Sequence, residues 1–288
     1  MSSMRDIKQR IENVRSVEQI IKAMDMVAST KLVKIRSQLE GVRPIYRELK
    51  RVAGEVGSQE GAKLHTFYKE REVKSSLYIV LTSDRGLAGS YNANITAKAL
   101  EHMNKGKNEK IVAVGSKGYE YFKRKGKNIV QTVIDMADTQ VYYGTESLAK
   151  WIIDYYLSGE ADEVFIAYTH FETVLNYVPV VVRLLPVLVK ETEKEEDETK
   201  YEPSLNTFID HMIPLYLHMK LFRAFSESHT SEQAARMVNM DAAGKNAEEI
   251  IEELTHLYNR KRQTAITQEL SEIVGSVNIL NKGGLHDS

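Results

Sequence analysis

The sequence predicts an α/β fold: a long antiparallel coiled coil formed by the N- and C-terminal helices, with a Rossmann-like α/β domain inserted between them. Three observations carry this. From Leu215 to Ser288 there is no proline and there are only four glycines, a composition that favours one long helix. Through the N-terminal segment apolar or small residues recur at a mean step of roughly 3.5, the spacing that keeps a seam facing a partner helix. Between the two ends, short β-rich runs alternate with helical stretches, the rhythm of βαβ units around a mostly parallel sheet.

The N-terminal coiled-coil helix is assigned to residues 1–57, with Ile7, Ile11, Val14, Val17, Ile21, Met24, Ala28, Leu32, Ile35, Leu39, Val42 and Tyr46 as its seam. The globular α/β domain spans 70–190, with strands expected at 77–82, 110–115 and 163–168 and helices near 92–105, 117–125 and 145–158. The run 178–188 holds Pro179 and Pro186 and suits an antiparallel edge strand, where a missing N–H is tolerated. Residues 191–204 form an acidic loop, since its first ten residues hold six acids and two lysines and have no apolar face to bury. The C-terminal coiled-coil helix takes 205–288; its greasy end, Ile273 to Leu280, calls for a surrounding sleeve.

Composition narrows the function. With 42% apolar residues, 27% charged residues and a net charge of −1, the 288-residue chain is an ordinary globular one with no global attraction to nucleic acid or anionic lipid. Zero cysteines remove thiol chemistry and disulfides. No run is apolar and long enough to span a membrane. The turns Ser83–Ser90 and Gly115–Gly118 follow strands but lack both the dinucleotide fingerprint and the P-loop, and no paired histidines, nucleophile elbow or acid/base dyad stands out. The reading is therefore no catalytic residue, no cofactor and no metal. Residues 5–51 carry twelve basic and six acidic side chains, which favours an acidic protein partner over nucleic acid. An α/β nucleotide-binding enzyme with helical extensions, or a coiled-coil scaffold, stands as the alternative.

Four blocks carry more specific wording. They are Ile7–Ile11 with Ile20–Leu32; Ser83-Asp84-Arg85-Gly86-Leu87-Ala88-Gly89-Ser90-Tyr91-Asn92-Ala93-Asn94-Ile95; Ser231–Met240; and Tyr258–Gly275. In this order they resemble the gamma subunit of the rotary ATP synthase over nearly the whole chain. The resemblance implies a central stalk: a rotor shaft standing in a hexamer of alpha and beta subunits, its globular part bound to the epsilon subunit and the membrane c-ring. It implies that Arg236, Gln263 and Thr267 bond to the beta subunit's catch loop, that Met24 faces beta's acidic lever, and that Arg262 and Glu269 contribute from the same helix. It also implies a bearing of Ile273, Val274, Val277, Ile279 and Leu280. Gln19 and Ile21 depart from the family's usual lysine and threonine, Ala88 from a frequent cysteine. The expected location is the cytoplasmic face of a bacterial plasma membrane, as a peripheral part of the complex.

Overall fold

The computed structural model describes residues 3–103, 108–137, 139–188 and 201–283, those from 275 onward by backbone alone. Two long helices bracket the chain, α1 (Met4–Ser58) and α5 (Leu205–Gly283). Each runs through one proline, Pro44 or Pro214, so each forgoes one backbone hydrogen bond without ending. The chain divides into two compact units, Met1–Met26 with Met240–Ser288, and Val27–Asn239. The acidic loop falls mostly outside the described residues.

In the first unit α1 and α5 run antiparallel. A Cβ on Gly244 would lie 3.7 Å from Ile21 Cγ2, and Lys22 Nζ donates to Glu248 Oε1 at 3.0 Å. At the start of α1, the Ser3 N–H and hydroxyl hold the Asp6 carboxyl below its usual range, with the charge of Lys261 adding to the effect. The seam of α1 is a strict heptad, but not the one that apolar content alone picks out. Ile7, Ile11, Ala28, Leu32, Ile35, Leu39, Val42 and Tyr46 are buried as expected, whereas Val17 and Met24 are exposed. Alternating steps of four and three from Ile11 lead through Val14, Glu18, Ile21 and Asp25 to Ala28, and all four intervening residues are partly covered. Two acids thus occupy seam positions. Glu18 takes a bond from Lys22 at 2.5 Å, while Asp25 Oδ1 is buried with no hydrogen-bond partner.

The second unit is a doubly wound domain joined to the remaining parts of both long helices. Its sheet has the order β3-β2-β1-β4-β5, with β1 (Ser76–Leu81), β2 (Glu109–Val114), β3 (Asn128–Val133) and β4 (Glu163–Phe171) parallel and β5 (Tyr177–Leu185) antiparallel at the edge. Every residue of β1 is buried, because the alternating side chains enter two cores. Leu77, Ile79 and Leu81 meet α4 (Val141–Leu157), α1 and α5, while Tyr78 and Val80 meet α2 (Tyr91–Met103) and Phe122 of α3 (Ser116–Arg124). The expected helices and the antiparallel edge strand are all present. β3 is not among the strands the β-rich runs predict: it is an edge strand with a half-covered face and polar Asn128, Gln131 and Thr132, so it carries little apolar signal.

Candidate functional site

In a doubly wound sheet the natural ligand crevice lies beyond the strands' C-terminal ends, where the strand order reverses. Here that point falls between β1 and β4, whose pairing stops at Val80↔Ala167. Two internal groups fill the places a ligand would take. The Asp84 carboxylate sits at the start of α3, accepting from Ser116 N–H at 2.8 Å and from Asp135 N–H at 3.1 Å, where a phosphate would otherwise be cradled. The turn leading into α3 is tight: Gly115 has φ +87°, and a Cβ there would clash with the Thr82 carbonyl.

The second internal group is α5 itself. Beyond Ala167, the N–H and C=O of Thr169 face no β1 residue; the Ser228 hydroxyl accepts from that N–H at 3.4 Å, and the Ser231 hydroxyl shares its proton between that C=O at 3.2 Å and the Glu227 carbonyl of its own helix at 2.9 Å. Two hydroxyls from one turn of α5 therefore continue the ladder that β1 leaves. The Tyr91 phenol closes the arrangement, 2.7 Å from Ser228 Oγ and donating to the Ser228 carbonyl at 3.0 Å; burial holds this phenol far above its usual pKa, so it stays a donor. Next to it, fully buried Glu227 accepts from Arg223 Nε at 2.8 Å and lies 2.6 Å from His170 Nδ1 on β4. The Arg223 guanidinium in turn covers the Tyr46 ring of α1 at 4.6 Å. Lys220, one turn earlier, donates to the Arg183 carbonyl at 2.7 Å, and burial, with Lys50 and Arg223 nearby, pushes its pKa down to about 8.

A cavity of about 90 Å³ remains beside these groups, lined among others by Thr82, Asp84, Gly115, Phe222 and Glu232. Ligand pockets run to roughly 300–1,000 Å³, so a nucleotide has no room here. The crevice of the sheet therefore does not favour the nucleotide-enzyme alternative.

The residues expected to meet partners fall into two sets. Arg236 belongs to the second unit and is largely covered: it bonds Glu232 at 2.7 Å, Gln233 at 3.0 Å and the Gly86 carbonyl at 3.4 Å, tying α5 to the β1–α2 turn. Leu87 in that turn is left-handed, φ +64°, with its side chain exposed. Met24, Arg262, Gln263, Thr267 and Glu269 belong to the first unit and are all exposed. The Thr267 hydroxyl is bonded back to the Gln263 carbonyl at 2.9 Å, leaving its methyl and lone pairs outward. Ile273 and Val274 are exposed; the side chains of Val277, Ile279 and Leu280 lie outside the described residues. The Ser228–Ser231 and Glu227 groups are absent from the expected set. Their signal was a polar run, Ser226 to Gln233, inside an otherwise apolar helical stretch.

Among the described residues no helix is long and apolar enough to cross a membrane. The family model described as ATP synthase matches residues 3–280. The ATP synthase gamma chain of Desulforamulus reducens is 41% identical over 96% of this chain and 98% of its own length. The relative from Acetobacterium woodii, named ATP synthase gamma chain, sodium ion specific, is 35% identical over 97% and 99%. In fold, the chain is similar to a chain of the Euglena gracilis mitochondrial ATP synthase OSCP/F1/c-ring structure, with TM-score 0.65, 18% identity and coverage of 98% and 95%. It is also similar to one from the Tetrahymena thermophila central stalk and c-ring, with TM-score 0.60, 24% identity and coverage of 78% and 99%. Matched by the family model over residues 3–280 and by gamma chains at 35% and 41% identity over nearly their whole length, the chain belongs to the ATP synthase gamma-chain family.

Proposed function

We propose that this chain is the central rotor shaft of an ATP synthase: a non-catalytic subunit that couples ion-driven rotation of a membrane ring to ATP synthesis and hydrolysis in an alpha/beta hexamer. The observation that carries it, beyond family membership, is the run of large apolar side chains on α5. Ile250, Leu257, Ile266, Leu270, Ile273 and Val274 are between 38% and 59% exposed. At about 100° per residue, Ile250 and Ile266 point about 160° apart, so no single partner helix covers them and a surrounding sleeve is needed.

Three identical beta subunits hold different nucleotide states only if something breaks their equivalence, and an asymmetric shaft presents each with a different face. Swinging one site from 1:99 to 99:1 takes about 5.5 kcal/mol of differential contact. Gln263, Thr267, Arg262, Glu269 and Arg236 supply the directional part through charged or neutral hydrogen bonds of about 1–3 kcal/mol each, and Met24 adds a shape-dependent apolar contact. Arg236 enters this set as a pre-oriented group, since its three bonds within the chain fix it. The bearing has the opposite need, nearly equal contact at every angle, which non-directional apolar groups meet; Ile273, Val274, Val277, Ile279 and Leu280 are assigned to it. The α/β unit is assigned to the epsilon subunit and the c-ring, at the cytoplasmic face of the membrane, peripheral to it.

Co-purification with alpha and beta, followed by ATP hydrolysis with and without this chain, tests the reading. Turnover is expected to depend on the chain, and Gln263→Ala or Thr267→Ala to lower it by up to about tenfold, the equivalent of one hydrogen bond of about 1.4 kcal/mol. ATP binding by the isolated chain in equilibrium dialysis, or turnover indifferent to the chain, contradicts it.

A further inference from the structure

We propose that the closed crevice between β1 and β4 is the torque joint of the shaft, and that Ser228, Ser231 and Tyr91 are the positioning residues that fix the angle of α5 about its own axis against the sheet. This rests on the rotor reading and adds to it where the twist passes from helix to α/β domain. Apolar packing grips a helix without fixing its angle, because its strength depends on area rather than direction. Hydrogen bonds to a strand backbone are directional, and they weaken steeply once misaligned.

The chemistry of the contact fits a joint better than it fits a stabilising core. Ser226, Glu227, Ser228, Thr230, Ser231 and Gln233 are all buried, in a helix whose neighbouring turns bury Leu217, Leu221 and Phe225. Buried polar groups of this kind add little net stability over apolar ones of similar volume; what they add is a unique arrangement. Of the four buried hydroxyls of this stretch, Ser226 and Thr230 bond within the helix, whereas Ser228 and Ser231 meet the N–H and C=O of one residue, Thr169, so a rotation of α5 by a fraction of a turn breaks both bonds together. Tyr91, at the first position of α2, bonds the same serine from the other side of the crevice. Glu227, held between Arg223 and His170, lies beside them.

The test is angular. The chain has no cysteine, so Lys98→Cys, at an exposed position of α2, gives this chain one attachment point for a bead on the α/β domain, in a complex whose other subunits are made cysteine-free and whose alpha/beta hexamer is fixed to the surface. During ATP-waiting pauses the variance of the bead angle reports torsional compliance. Ser228→Ala with Ser231→Ala is expected to raise that variance at least twofold with ATP turnover at no load unchanged, and Tyr91→Phe, which keeps the ring and folds most readily, to raise it by a smaller step. Leu221→Ala, which removes apolar contact from the same helix, is expected to lower the melting temperature more than either and leave the variance alone. Equal variance in Tyr91→Phe and the parent chain, or broadening by Leu221→Ala as large as that by the serine pair, overturns the joint. Absence of any rotation with the parent chain overturns instead the rotor reading on which it rests.

Discussion

One helix, α5, carries two contrasting surfaces. Between Lys220 and Arg236 most of its polar groups are buried or partly covered, and Lys220, Ser228, Ser231 and Arg236 are bonded to β5, β4, α2 or the β1–α2 turn. Between Ile250 and Val274 one side is partly covered, at Ile251, Leu254, Tyr258 and Ala265, while large apolar side chains such as Ile250, Leu257, Ile266, Leu270, Ile273 and Val274 face outward among the polar ones. A helix built only for its own stability would do the reverse, hiding apolar and showing polar side chains. The contrast teaches that the first stretch is finished within this chain and the second is not: the first is specific and closed, the second awaits a surface supplied by another molecule.

The closed stretch gives the largest expected effect. Glu227→Ala leaves Arg223 and His170 without their shared carboxylate; breaking a buried pair costs about 3–5 kcal/mol, and because both partners are roughly one quarter to one third exposed the lower end applies. Urea denaturation should show it as a fall in midpoint. The same truncation in the open stretch, Glu269→Ala, should leave the midpoint in place. Equal losses at the two positions would erase the distinction between them.

A second way to sharpen it uses pH. Lys220 titrates near 8 in the folded chain and near 10.4 when unfolded, so between these values the unfolded state binds more protons and stability rises with pH. Below about pH 8 both states are protonated and the gain is absent. Denaturant midpoints measured from pH 7.5 to 10 should therefore climb, and Lys220→Met should flatten the climb by supplying an uncharged side chain throughout. A profile unaffected by Lys220→Met would mean the ammonium is solvated.

The coiled-coil unit offers a smaller effect of opposite sign. Asp25 stands at a seam position with one oxygen buried and unpaired. Asp25→Leu completes the heptad and is expected to stabilise the unit by about 1 kcal/mol, read as a higher melting temperature. The smallest effect belongs to the open stretch: Ile266→Ala should change the isolated chain's stability by less than about 0.5 kcal/mol, because the side chain is half exposed, yet weaken assembly with alpha and beta.

These residues also mark what was legible in the sequence. The two long helices, the inserted α/β domain and its edge strand follow from spacing and punctuation, since period 3.5 and short β-rich runs are local signals. The seam register was not fully legible: ranking residues by apolarity selects Val17 and Met24, while the four-and-three alternation that geometry enforces selects Glu18 and Asp25. β3 escaped because an edge strand needs only one half-apolar face. The Ser228 contact escaped for a different reason. Its partner lies 59 residues away on a strand, and a hydroxyl replacing a missing ladder bond leaves no periodic trace. The partner-facing roles proposed for Gln263 and Thr267 rest on resemblance in wording, which no property of an isolated helix could replace.

The most direct measurement of the shaft's role is a reversible lock. Because the chain has no cysteine, Gln263→Cys can be joined by a single disulfide to a cysteine placed in the catch loop of beta. Oxidation is expected to link the chain to one beta subunit of the three and stop ATP turnover, with full recovery on reduction. Turnover that continues unchanged in the fully cross-linked complex would show that the three sites work without a turning shaft.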